Sequence, residues 1–195
     1  MKTRMNAVPF ARRFAGRLLL CLCFLCFLCF LLPSCSGEEG EENLFRYAID
    51  TSDSRIAPRR AAFGTEDSAV LEELGLSEED LEPVGEKYNR LLNTISIPGL
   101  SDEVTEIYSF YDGKLVSLRY TVWIPVEEFD AACRKLAEQA EEAMPAELLR
   151  SVEIGIAEGN GTSWQDDAQN WAQMSFAQNI EEGRRNISLS IMAAK

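Results

Sequence analysis

The chain has 195 residues, enough for one domain and an additional segment, and it contains no histidine. Its 32 acidic and 19 basic residues give a formal net charge of -13, which argues against nucleic acid as a partner. Without histidine the chain lacks the commonest general base and the commonest metal ligand, so we expect neither a metal site nor a cofactor.

The first 34 residues have the pattern of an export signal. Five basic residues come first: Lys2, Arg4, Arg12, Arg13 and Arg17. An unbroken run of Leu, Phe and Cys follows over residues 18–32. This length fits the hydrophobic region of a secretory signal better than a membrane span, which needs about 20 apolar residues. Removal of the signal leaves 14 basic and 32 acidic residues, a net charge near -18.

The apolar run ends in Leu32-Pro33-Ser34-Cys35. This tetrapeptide resembles the lipobox of bacterial lipoproteins, from which Pro33 is a departure. The resemblance implies cleavage before Cys35, a diacylglycerol thioether on its sulfur and further acylation of its amino group. Two or three acyl chains anchor a protein stably. We therefore expect an exported protein, lipid-anchored to the bacterial cell membrane or outer membrane, with its domain facing the periplasm or the exterior. The alternatives are an ordinary signal that is cut elsewhere and an anchor that is not cleaved.

The residues after the anchor are predicted to be a flexible tether over 35–62, because 36–42 is acidic and polar and cannot bury a core. Within it, residues 44–49 suggest a strand. The folded domain is predicted over 63–195 and begins with a short helix after Thr65. The stretch Gly64-Thr65, Val70 and Leu74-Gly75 is similar to the helix motif of the SmpA/OmlA-like envelope lipoproteins, although the aromatic strand signature that follows it there is missing.

A β-hairpin is the clearest local prediction. Strands over 104–111 and 114–124 flank Asp112-Gly113, a pair that favours a two-residue type I′ turn. Such a turn is predicted to pair Phe110 with Leu115, Tyr108 with Ser117 and Glu106 with Arg119. An amphipathic helix over 126–144 follows, and further strands are predicted around 152–156, 172–176 and 187–191. The order of elements predicts an α+β fold, a mainly antiparallel sheet with the long helix packed on one face and short amino-terminal helices.

The hairpin also supplies the predicted binding surface. Strict alternation places Val116, Leu118, Tyr120, Val122 and Ile124 on a buried face. On the other face, which also carries Glu106 and Arg119, we predict a partner-binding patch of four residues: Tyr108, Phe110, Leu115 and Trp123. On this basis the protein is predicted to be a non-catalytic interaction module for an envelope protein or polymer. A small-molecule or sugar-binding module, with a pocket lined by Trp123, Trp164 or Trp171, is the alternative.

Catalysis is not predicted. Cys133 lies on the apolar face of the long helix, which favours a buried, inert thiol. Asp166 and Asp167, next to Trp164, are the best pair for a hydrolase that uses carboxylates alone, but acidic neighbours are expected by chance in so acidic a chain.

Overall fold

Eight strands form the main antiparallel sheet in the computed structural model, which describes residues 43–97, 103–150, 155 and 159–194. The strands, numbered along the chain, are β3 (Glu82–Pro83), β4 (Tyr88–Ser96), β5 (Glu103–Tyr111), β6 (Lys114–Pro125), β7 (Leu149–Arg150), β8 (Thr162–Gln165), β9 (Trp171–Phe176) and β10 (Arg184–Met192). Their order across the sheet is β3-β4-β5-β6-β10-β9-β8-β7, so the sheet consists of two meanders joined where β10 pairs with β6.

The remaining described elements precede the sheet or connect its two halves. The helices are α1 (Leu44–Ala48), α2 (Asp67–Leu74) and α3 (Phe129–Ala143), and two short 3₁₀ turns lie at Ser52–Ser54 and Glu78–Asp80. Strands β1 (Ile49–Asp50) and β2 (Ala57–Pro58) form a separate two-stranded sheet. The predicted α+β fold is confirmed. Among the described residues, no helix has both the length and the apolar composition needed to cross a membrane.

Helix α3 is built as its sequence periodicity predicted. Phe129, Cys133, Leu136 and Ala140 recur at intervals of three and four, and all are buried in the core. The helix contacts both β6 and α1. One face of the sheet is therefore covered by a helical layer and carries the hydrophobic core; we call it the core face, and the opposite face the outer face.

The hairpin forms at the predicted turn, where Asp112 and Gly113 both have positive φ as a type I′ turn requires. Its register is only partly as predicted. Phe110 pairs with Leu115, but Ser109 pairs with Ser117, so Val116 is an extra residue in β6. This β-bulge reverses the alternation along the strand, and both Leu115 and Leu118 consequently face the core. Val116 itself is only half-buried.

The predicted boundary of the domain at residue 63 is wrong. Helix α1 is capped by Asn43, whose side-chain Oδ1 accepts from the Phe45 amide at 2.9 Å, so the predicted strand over 44–49 is mostly helix. Leu44, Phe45 and Ile56 are at most 2% exposed. Because these side chains enter the core, residues 43–62 belong to the folded domain and are not part of a tether.

The two closing strands are confirmed as β9 and β10. The predicted strand at 152–156 lies outside the described residues except for Gly155. Strands β4 and β8 had not been predicted. Both contribute to the surfaces described below.

Candidate functional site

The predicted binding patch on the hairpin is not a surface. Tyr108, Phe110 and Leu115 are at most 1% exposed and belong to the hydrophobic core. Trp123 is half-buried and lies on the outer face, opposite Asn186. The bulge at Val116 explains the separation, because the alternation that joined Leu115 to Trp123 is interrupted between them. The prediction of a patch formed by these four residues is therefore wrong.

A buried polar cluster lies on the core face where the patch was expected. Glu106 is completely buried, and its Oε2 accepts from the Tyr108 hydroxyl at 3.1 Å and from Asn93 Nδ2 at 2.8 Å. Arg60 Nε lies 4.0 Å from the other carboxylate oxygen. Burial and the Glu106 carboxylate together raise the pKa of Tyr108. The cluster connects Arg60, in the amino-terminal segment, to the sheet.

Cys133 lies on the core-facing side of α3 and is completely buried. Burial raises the pKa of its thiol to about 12. A thiol in this environment stays protonated near neutral pH and is a poor nucleophile.

Asp166 and Asp167 have different environments. Asp166 is 6% exposed, and its carboxylate accepts from the Ile56 amide at 2.8 Å and from the Asn170 amide at 2.8 Å. Burial alone would raise the pKa of Asp166, but these hydrogen bonds outweigh it and hold the pKa below its usual value. Asp167 is exposed. Asp166 thus holds a loop in place, and the two carboxyls are not equivalent members of an acid–base pair.

The outer face has a different composition from the core face. One row of hydroxyl side chains crosses five strands, each directly opposite the next: Thr94, Thr105, Thr121, Ser188 and Ser175. In the middle of the row, Thr121 Oγ1 and Ser188 Oγ are 3.3 Å apart. Neither α1 nor α3 packs on this side of the sheet, because the buried residues of both helices join the core.

A groove of ≈ 860 Å³ opens at one end of the outer face, and we call it the aromatic groove. It is lined by Tyr88, Tyr111, Val116, Ser117, Gln165, Gln169, Trp171, Met192, Ala193 and Ala194. Its aromatic side chains are well exposed: 51% for Tyr88, 41% for Tyr111 and 43% for Trp171. None of these ten lining residues is charged, although charged residues make up 26% of the chain.

The strand order places residues from distant parts of the chain along this groove. Trp171 lies opposite Met192, and Met192 lies opposite Ser117, on three adjacent strands. At the other end, Tyr88 and Tyr111 are cross-strand partners whose ring centroids are 4.8 Å apart. Three interstrand steps separate β9 from β5, so the aromatic ends stand roughly 14 Å apart in the strand-to-strand direction.

The floor and rim of the aromatic groove are fixed by backbone contacts. The amide of Ala193 donates to the carbonyl of Val116, the bulge residue, at 2.9 Å. The amide of Ala194 donates to Asn170 Oδ1 at 3.0 Å, and Asp166 holds Asn170 in turn. The bulge therefore positions Ala193, and Asp166 positions Ala194 through Asn170. The sequence alone indicated neither role.

A smaller groove of ≈ 320 Å³ adjoins the aromatic groove and shares Tyr88 and Ser117 with it. It contains Arg90 and Arg119. The Arg90 guanidinium is paired with Glu82 at 2.6 Å, and Arg119 Nε donates to Ser190 Oγ at 3.0 Å. A charged surface thus adjoins the uncharged groove on the same side of the sheet.

Of the three tryptophans considered for a pocket, only Trp171 lines the aromatic groove. Trp164 is 5% exposed and packs edge-on against Phe45, with ring centroids 6.0 Å apart. Tyr88 and Tyr111 had not been identified from sequence. The signal available for Tyr111 was its place directly before Asp112-Gly113, where alternation turns it away from buried Phe110. Among the described residues, no cluster of three or more acidic or cysteine side chains could hold a metal ion.

Comparison with protein-family models, with curated proteins and with solved structures gave no significant match to the chain. Cys35 lies outside the described residues.

Proposed function

We propose that this protein is a lipid-anchored bacterial envelope protein whose domain acts as a non-catalytic interaction module for an envelope protein or polymer. The observation that supports binding is the aromatic groove. Three large aromatic side chains are more than 40% exposed around one concave surface. Exposed aromatic residues in a concave site are typical of recognition surfaces, and leaving them in water promotes aggregation.

Several features support a binding role over a catalytic one. The Cys133 thiol is buried, and the Asp166 carboxylate is engaged by backbone and side-chain donors. The aromatic groove is lined by no carboxylate, amine or thiol, so its serine, Ser117, has no such base beside it in the lining. A serine nucleophile is weak unless an adjacent general base activates it.

The anchor is tested by substitution of the lipobox cysteine. In cells fed a labelled fatty acid, the native chain should take up label and Cys35→Ala should not. Cys133→Ala is the matched control and should keep the label. Label that persists in Cys35→Ala would contradict lipid anchoring at this position, since no other cysteine follows a comparable motif.

The interaction surface is tested by site-specific photocrosslinking in the native envelope. A photoreactive phenylalanine analogue is placed at Tyr111, in the aromatic groove, or at Leu92, which is 48% exposed on the same face but does not line the groove. We expect one discrete adduct from position 111 and none from position 92. The adduct should disappear when Trp171→Ala is added. No adduct from position 111, or the same products from both positions, would contradict the proposal.

A further inference from the structure

We infer that the ligand of the aromatic groove is an uncharged stretch of a glycan chain. The inference rests on the proposed function, because it identifies the chemistry of the partner at the same site. It follows from three properties of the groove: its aromatic faces, its lack of charge and its side-chain amides.

The aromatic faces suit sugar rings. A pyranose ring presents a flat apolar side of C–H groups and a rim of hydroxyls, so it packs on an aromatic ring with little loss of hydration. Trp171 at one end, and the Tyr88–Tyr111 pair at the other, provide two such platforms. They stand roughly 14 Å apart across the strands, which suits a chain of several rings better than a single one.

The lack of charge discriminates between possible partners. The chain carries a net charge of -13, yet none of the residues lining the aromatic groove is charged. A protein partner of an acidic protein would be expected to match it with basic residues at the contact, because interfaces are electrostatically complementary. Cations border the groove but do not line it: Lys87 Nζ is 5.8 Å from the centroid of the Tyr111 ring, and Arg90 and Arg119 lie in the adjoining groove. The lining itself offers a basic partner no acidic counter-charge, whereas a neutral glycan needs none.

The polar atoms that are present match hydroxyl groups. Gln165, Gln169 and Ser117 all line the groove: Ser117 on β6 lies between the two platforms, whereas Gln165 on β8 and Gln169 in the β8–β9 loop lie on the far side of Trp171. A primary amide offers both a donor and an acceptor, and a serine hydroxyl does the same, so these side chains can pair with sugar hydroxyls in either sense. Hydrogen bonds from amides at the rim and stacking on aromatic faces together fix the orientation of a sugar without any ion pair.

The experiment titrates the full chain, in detergent, with two uncharged tetrasaccharides, a β-1,4-linked glucose tetramer and a β-1,4-linked N-acetylglucosamine tetramer. Tryptophan fluorescence reports binding, since Trp171 is exposed in the groove. We expect saturable binding of at least one tetramer that is unchanged by 0.5 M NaCl. Trp171→Ala should weaken it about tenfold or more, as expected for loss of an aromatic anchor. Isothermal calorimetry provides the affinity for that variant, which lacks the reporter.

Two variants keep the result interpretable. Trp171→Phe retains a ring and should restore most of the affinity, whereas Leu92→Ala should bind as the native chain does. Absence of saturable binding to both tetramers, or binding that Trp171→Ala leaves unchanged, would overturn the inference. If the crosslink from position 111 forms but neither tetramer binds, the glycan inference fails and the interaction module stands. If that crosslink also fails, both are wrong.

Discussion

The two faces of the eight-stranded sheet use the same strands for opposite purposes. On the core face, Leu91, Leu118 and Ile191 are fully buried. On the outer face, the residues next to them in sequence include Leu92, which is 48% exposed, and the half-buried Met192 of the aromatic groove. The comparison shows that large apolar side chains on the outer face are not there to complete the core. Their concentration at one end of that face therefore needs another explanation, and the explanation that we propose is ligand binding.

The largest expected effect separates the two faces at adjacent positions. Leu91→Ala should lower the free energy of unfolding by about 2–5 kcal/mol, because it leaves a cavity in the core. Leu92→Ala should change it by less than about 0.5 kcal/mol, as surface substitutions do. Urea denaturation of both variants measures the difference. Equal losses would show that a second layer covers the outer face.

The second prediction concerns the loop that positions the rim of the aromatic groove. Asp166→Ala leaves the buried Ile56 amide without its acceptor, and we expect a loss of about 1–3 kcal/mol. Asp167→Ala is the matched control and should be nearly neutral, since Asp167 is exposed. Because the folded-state pKa of Asp166 is lowered, its contribution is present above its unfolded pKa and is lost as the pH falls through the folded value. The free energy of unfolding of the native chain and of Asp166→Asn, measured at decreasing pH, checks the sign of this dependence.

The sequence predicts the core face better than the outer face, for a physical reason. Periodicity reports burial, and it identified α3 and the strands β9 and β10, whereas the hairpin turn was identified by the Asp112-Gly113 pair. It could not identify the bulge at Val116, because Val116 fits the alternation that the bulge interrupts. Residues 43–62 enter the core at irregular spacing, so their composition suggested a tether.

The aromatic groove was beyond the reach of a single sequence for a different reason. Tyr88, Tyr111 and Trp171 come from β4, β5 and β9, and only the strand order brings them to one surface. That order depends on the long-range pairing of β10 with β6, and nothing local in the sequence specifies it. The two-residue spacing of aromatics along a single strand instead drew attention to Tyr108 and Phe110, which fill the core.

The third prediction uses pH to examine the core face. Because burial raises the pKa of Cys133 to about 12, its thiol stays neutral in the folded state while it ionises in the unfolded chain above about pH 9. Stability is therefore full below about pH 9 and falls as the pH rises, by at most about 1.4 kcal/mol per pH unit for this group. Cys133→Ala should flatten the loss between pH 9 and 10. The steeper loss at higher pH should remain, because the pKa values of Tyr108 and Tyr120 are also raised by burial. An unchanged slope in Cys133→Ala would show that the thiol is not buried as described.

The smallest expected effect tests whether the hydroxyl row of the outer face serves folding. Thr121 lies in the middle of that row, and its hydroxyl is 3.3 Å from that of Ser188, a long contact for two hydroxyls. Thr121→Val keeps the shape and the β-branch while removing the hydroxyl, so we expect the free energy of unfolding to change by less than about 1 kcal/mol. Thr121→Ala, which also removes the methyl group, is the comparison that separates packing from hydrogen bonding. A loss in Thr121→Val as large as that in Leu91→Ala would mean that the row belongs to a second, polar core. A loss confined to Thr121→Ala would mean that the methyl group, and not the hydroxyl, contributes to folding at this position, where the residue is only 9% exposed.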